Sequence, residues 1–225
     1  MTSNVESSQV SDNSQQSASE CLLQAVQSVT AGGDRPAVSD MVAALVRTEK
    51  QHKQEKTTYP VEAFVGTWRF RLSANRKARL VSGTVQGNGF YVPNWIMATL
   101  AFELSPTSTN STESNHDGAP SNGEADSIPL TITNALQLGA LRLQLTGPAK
   151  YLPRRTLIAF DFYRMTLTAF GQCLYSGGLP GRSVSTENFE QQAIAKLPFF
   201  AFIAAKDDYI AARGRGGGLA LWSRE

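Results

Sequence analysis

The spacing of apolar residues changes period near residue 59. Leu22, Leu23, Ala25, Val26 and Val29 recur as one face of a short helix. Gly32-Gly33 end it, and Asp34-Arg35-Pro36 can open a second helix with Met41, Val42, Leu45 and Val46 on its apolar face. Lys50 to Thr58 reads as a charged linker. Residues 1–18 are rich in Ser and Gln, have almost nothing to bury, and are expected to be a disordered tail. The chain thus divides into a tail, a helical region with its linker at 19–58, and a body at 59–225.

In the body the period is two. Phe64, Trp68, Phe70 and Leu72 share one face of a strand, and Thr67, Arg69 and Arg71 the other. Gly87-Asn88-Gly89 signals a turn between runs at 80–85 and 90–92. Ile96, Ala98, Leu100 and Phe102 alternate with Met97, Thr99, Ala101 and Glu103, as Leu141, Leu143 and Leu145 do with Arg142, Gln144 and Thr146. Further strands are predicted at 156–163, 165–174, 199–205, 209–213 and 219–222. Between them, 105–127 is a low-complexity stretch of Ser, Thr, Asn, Gly and acids, whose composition predicts a disordered polar loop. Eight or nine short strands after a helical preface predict a mainly β fold. The expected architecture is an antiparallel β-barrel with a short N-terminal helical region, and a sandwich is the alternative that periodicity leaves open.

Charge and composition narrow the function classes. The chain has 225 residues, 21 Lys plus Arg and 19 Asp plus Glu, a net of +2 that argues for no nucleic-acid partner. From Tyr59 onward there are 16 basic and 12 acidic residues, four of the acids lying in the polar loop. That mild basicity suits an anionic membrane surface or an acidic protein partner, and equally a solvated surface. Cys21 and Cys173 form no CxxC pattern, so neither a disulfide framework nor a zinc site is expected, and a reducing compartment is. The first twenty residues carry acids but no Lys or Arg, unlike a signal or transit peptide. The longest apolar run, 197–205, contains Pro198 and is half a membrane span. A cytoplasmic protein without a transmembrane segment is the expectation.

Catalytic patterns are missing. His52 and His116 fall in the linker and the polar loop, and there is no Gly-x-Ser-x-Gly elbow or HExxH. Gly214-Arg215-Gly216-Gly217-Gly218 lacks the Lys-Ser/Thr of a phosphate loop and reads as a hairpin. The expected protein is not an enzyme and has no metal or resident cofactor.

Gly66-x-Trp68 on the opening strand, with an Arg in the closing strands, is the signature of lipocalin-like barrels. There the indole plugs one end under a basic side chain. Gly66-Thr67-Trp68-Arg69, the acidic start Asp207-Asp208-Tyr209, the turn Arg213-Gly214-Arg215-Gly216-Gly217 and the apolar strand 219–222 together resemble the plastid lipid-associated protein family, also called fibrillins. The resemblance covers about residues 22–222 apart from the polar loop. Ile210 and Ala211 stand where the family often has a further Arg, and Phe70-Arg71-Leu72 replaces a Tyr common after the Trp. The resemblance, closest to a cyanobacterial branch, implies a lipocalin-like fold that binds carotenoid, prenylquinone or membrane lipid. It places the protein at the periphery of thylakoid membranes, in photoprotection or stress tolerance. An assembly or scaffold factor for photosynthetic or prenylquinone-synthesis proteins is the alternative, and a bilin-binding, lyase-like barrel a third. The candidate ligand-binding residues are Trp68, Phe70, Phe160, Phe162, Phe200, Phe202 and Arg213, with Phe64 on the same aromatic face. Whether these rings line a cavity or fill a core stays open, as small barrels do both. Arg213 is expected as the lid over Trp68, or as an anchor for a ligand's polar end. Asp161, between two inward rings, is expected to face solvent.

Overall fold

The computed structural model describes residues 17–28, 34–105, 127–179, 189 and 192–225. The tail up to residue 16 and the polar stretch 106–126 lie outside the described residues. Two helices come first: α1 (17–28) and α2 (Val38–Glu55). Ser17 and Ala18, assigned to the tail by composition, are already helical, and Ala18 is buried. The expected linker from Lys50 is in fact the last turn and a half of α2. Glu49 and Lys53 pair across one turn at 2.8 Å, and Lys56 ends the helix in the left-handed region, φ 52°.

Thirteen strands follow among the described residues. They are β1 (Gly66–Ala74), β2 (Arg79–Val81), β3 (Thr84–Gln86), β4 (Gly89–Tyr91), β5 (Ile96–Leu104) and β6 (Ile128–Leu138). Then come β7 (Leu141–Leu152), β8 (Leu157–Phe160), β9 (Arg164–Ala169), β10 (Gln172–Gly178), β11 (Phe199–Ala205), β12 (Tyr209–Gly214) and β13 (Leu219–Arg224). The order β7-β6-β5-β1-β13-β12-β11-β8 returns to β7, so eight antiparallel strands close a barrel. The barrel is mainly β with a short helical region, as the sequence predicts, and closure removes the sandwich alternative.

Three sequence runs divide differently from expectation. Ser82 and Gly83 both take positive φ, 50° and 80°, and fold 79–86 into its own small hairpin of β2 and β3. Phe170 and Gly171 do the same at 51° and 77°, turning the run 165–174 into the β9–β10 hairpin. The run 156–163 ends as a strand at Phe160, and residues 161–163 step across β7 to start β9.

Two main cores lie back to back, beside a smaller cluster of Leu152, Leu157, Ala159, Phe189 and Leu197. Inside the barrel are Phe64, Trp68, Leu100, Phe102, Ile132, Tyr151 and Phe202, with Phe70, Phe162 and Phe200 partly buried above them. Outside, α1 and α2 pack Leu22, Met41, Val42 and Leu45 on Leu72, Ala74, Ile203, Ala211, Leu219 and Leu221. β1 and β11 also change which core a given side-chain parity faces partway along, which requires the phase to flip. Two β-bulges do this, one between Phe70 and Leu72 and one between Phe202 and Ala204. Leu72 therefore faces the helices and not the barrel, unlike the expectation of a single face from Phe64 to Leu72.

Two strands change partners on one edge. β1 pairs with β5 through Gly66–Arg69, then with β4 through Leu72–Ala74. β7 pairs with β9 through Leu141–Thr146, then with β8 through Ala149–Leu152. The sheet is closed near Trp68 and parts at the other end into two lips, β4–β1–β13–β12–β11 and β5–β6–β7–β9–β10. The second switch turns on Gly147. A Cβ there would stand 1.8 Å from the Asp161 carbonyl oxygen, while Asp161 N–H donates to Pro148 O and Tyr163 N–H to Thr146 O. Asp161, expected in solvent, is buried at this crossing, and one carboxylate oxygen accepts from Phe162 N–H. Gly147→Ala should destabilise the domain by about 3 kcal/mol or more, because the nearest atoms are backbone and cannot swing aside. Thermal unfolding compared with Gly139→Ala, where nothing stands in the way of a Cβ, checks this.

Candidate functional site

The closed end is built around Trp68, which is fully buried and donates its indole N–H to Phe64 O at 2.7 Å. A guanidinium does lie over the ring, 4.1 Å from its centroid, but it belongs to Arg224. Trp68 and Arg224 are direct cross-strand partners of β1 and β13. Arg224 Nε donates to Asp207 O at 2.7 Å and Nη1 to Val65 O at 3.1 Å. Gly66, at φ 124°, is required here: a Cβ on it would stand 2.8 Å from Arg224 Nη1. The Gly-x-Trp motif thus has a physical reading, in which the glycine makes room for the cation that covers the indole.

Arg213 is not the lid. On β12, Ile210 and Ala212 point into the barrel, so Tyr209, Ala211 and Arg213 face the helices. The Arg213 guanidinium forks onto the Glu49 carboxylate, with Nε to Oε1 at 2.7 Å and Nη2 to Oε2, and also donates to Ala78 O and Gly217 O. Burial pushes the Glu49 carboxyl up, but hydrogen bonds and charge from Arg213 and Lys53 outweigh it and hold the group below its usual range. Arg213 clamps the helical layer to the barrel and lies on the far side of the wall from the aromatic interior, so it is no anchor for a ligand inside.

The six aromatic candidates do come together. Phe202 contacts Phe64 at a centroid distance of 4.4 Å, Phe200 contacts Phe160 at 5.1 Å, and Phe160 contacts Phe162 at 5.3 Å. Trp222, which the sequence reading left out, joins them, lying 5.5 Å from Phe70 and 5.4 Å from Phe200. These contacts divide the interior. Below, Phe64, Phe102, Tyr151 and Phe202 are fully buried and in ring contact, and Trp68 is fully buried in the same cluster, a filled base. Above, Phe70, Phe162 and Phe200 keep part of their surface open. Their faces continue into the second lip, where Leu136, Leu141, Leu143 and Leu145 stand on the interior side and Arg142, Gln144 and Thr146 on the other. The arrangement can hold an apolar molecule by contact at the mouth. It offers such a molecule little hydrogen bonding.

A second concavity lies outside the barrel, a groove of about 570 Å³ between α2 and the β11–β12 turn. Its polar groups are largely engaged with one another. Tyr59 O–H donates to Ile203 O, Tyr209 shares a hydrogen bond with Ser19, and His52 Nε2 lies 3.0 Å from Thr156 Oγ1. Thr156 spends its own proton on Arg155 O or Phe202 O, so His52 Nε2 is the donor to it. His52 Nδ1 is then a buried lone pair without a partner, and burial pushes the imidazole pKa down. His52 also stacks on Tyr59 at 5.8 Å. Expected in a linker, it is a seam residue of the helix–barrel joint.

The basic strand face expected from Arg69 and Arg71 is only half there. Arg69 reaches Asn94 O, but Arg71 sits in the bulge, buried, with Nε donating to Ser223 Oγ at 2.7 Å. No cluster of three metal-ligating side chains occurs among the described residues, and none of their helices is long and apolar enough to cross a membrane. His116 lies outside the described residues. No family model and no curated protein matches the chain.

Two outcomes test this geometry. Arg224→Ala should lower stability by about 2 kcal/mol and raise acrylamide quenching of the deepest indole, since it removes the cation over Trp68 and two hydrogen bonds. For His52 the folded pKa is depressed, so its contribution is present above the unfolded value near 6.5 and is lost as pH falls through the folded one. His52→Gln should therefore flatten the loss of stability on the acid side of about pH 6.5, read as denaturation midpoint against pH for the two proteins.

Proposed function

We propose that the protein is a non-catalytic binder of lipid-like apolar molecules, a relative of the plastid lipid-associated proteins that works at the surface of thylakoid membranes in photoprotection or stress tolerance. Its ligand is a carotenoid, a prenylquinone or a membrane lipid. The observation that carries the reading is the half-open ring floor of Phe70, Phe162 and Phe200, continuous with the apolar face of the second lip. Sites for small apolar ligands are concave and mainly apolar. The filled base limits the guest to the mouth: a planar ring system or chain end rests on the rings and leaves the rest of its length along the lip. That filled base also favours the second reading, a scaffold for photosynthetic or prenylquinone-synthesis proteins that needs no guest.

Solvent extraction of the purified protein, followed by carotenoid and quinone titration, separates the two. Binding that Phe162→Arg weakens at least about tenfold, with the unfolding midpoint little changed, supports the first, since the new charge stands at a half-exposed rim position. Empty extracts and flat titrations, with one stoichiometric protein partner recovered after delipidation, support the second.

A further inference from the structure

The open end carries more exposed apolar surface than ligand binding within the barrel requires. Phe170 is 87% exposed, Trp95 70%, Phe90 59%, Leu141 42% and Leu138 39%. They belong to four different parts of the rim. Trp95 is in the β4–β5 turn, Leu138 and Leu141 flank the β6–β7 turn, Phe170 is the β9–β10 turn, and Phe90 is on β4. They come to one end because β1 and β6 both run from the closed base to that side. Phe170 N–H donates to Ala140 O, so the two hairpin tips of the second lip stand side by side.

Charge is segregated along the same axis. Arg76, Lys77 and Arg79 follow β1, Arg142 lies beside the β6–β7 tip, and Arg215 is in the β12–β13 turn. Among the described residues, the turns at 75–78, 93–95, 139–140, 170–171 and 214–218 hold no Asp or Glu, nor do β9, β10 or the lip halves of β6 and β7. Among the described residues, the acids on that side are buried Asp161, Glu49 in its fork with Arg213 and, on the helical layer, Asp34 and Asp40. Glu62, Glu103, Asp207, Asp208 and Glu225 are at the closed end, mixed with cations such as Lys206. A rim groove of about 330 Å³, lined by Asn75, Arg76, Lys77, Gln86, Gly87 and Asn88, has the size and donors for a phosphate-bearing head group.

From this we infer that the protein docks mouth first on an anionic lipid bilayer, with Trp95, Phe170, Leu138 and Leu141 entering the interface and the rim cations meeting lipid phosphates. Aromatic wedges among cations match the head-group layer of a membrane. Because the wedges are spread over separate turns around an opening, a fluid surface fits them and a rigid flat partner does not. This docking deepens the lipid-binding reading by giving the mouth a direct route between barrel and bilayer.

The full chain would be titrated with phosphatidylcholine vesicles, with and without phosphatidylglycerol. Of the three tryptophans, Trp68 and Trp222 are buried, so Trp95 reports the contact. The expected result is co-sedimentation with the anionic vesicles only, a blue shift, and quenching by lipids brominated on their acyl chains that Trp95→Phe removes. Arg76→Glu and Arg142→Glu should each weaken vesicle binding about fivefold or more, while Lys206→Glu, the same change of charge at the closed end, should not. Equal binding to neutral vesicles, no quenching of Trp95, or equal sensitivity to Lys206→Glu would overturn the proposal. So would a dimer that Leu138→Asp dissociates in the absence of vesicle binding, since the face would then belong to a second copy. Carotenoid titration keeps the two readings apart: Arg142→Glu should leave it unchanged, and Phe162→Arg should abolish it while vesicle binding persists.

Discussion

A strand edge that serves two neighbours in succession governs this fold. β7 gives its C-terminal half to β8 and its N-terminal half to β9, and the exchange is possible because Gly147 has no side chain to hold the crossing chain away. β1 makes the matching exchange from β5 to β4, at the bulge where Arg71 turns aside to Ser223. Below the two exchanges every backbone edge is paired and the cylinder is sealed. Above them the walls separate. A closed base and an open mouth are consequences of one topological device used twice.

The sealed end concentrates rigidity. Trp68 is tied to Phe64 O, covered by Arg224 and packed among rings that touch Phe202 and Tyr151. Burial pushes the Tyr151 phenol up to about 12, although its hydrogen bond to Tyr59 O acts the other way. On the outer wall, the fork between Arg213 and Glu49 fixes α2 to the barrel at a partly buried site, where an unpaired carboxylate would be costly. The two cations named by the lipocalin signature and by the closing glycine turn therefore have separate tasks, one for each core.

Alternation alone was enough to read the class of fold and most of the inner rings. Phe70, Phe160, Phe162, Phe200 and Phe202 all turn inward because each precedes or lies outside a bulge, so the simple period holds. Leu72 lies beyond the bulge in β1, and its phase was misread because one extra residue leaves no mark in a hydrophobic pattern. Arg213 is different, since no bulge interrupts its strand: counting on from Ile210 and Ala212 places it outside, and counting on from Trp222 places Arg224 inside. The hairpins at Ser82-Gly83 and Phe170-Gly171 were hidden because Ser and Phe take the left-handed region there, which neither favours. Asp161 was assigned to solvent by parity, whereas the crossing over Gly147 buries it.

The two bulges also act as a reading frame. Each lets a single strand present grease to the lumen over one stretch and to the helices over the next, with Arg71 at one join and Ile203 at the other. Loss of one residue at either join would exchange inside for outside along the remainder of that strand, and the tip turns carry no such constraint. A change of length is thereby tolerated best in the rim loops, where it would alter what the opening meets and leave the sealed cylinder as it is.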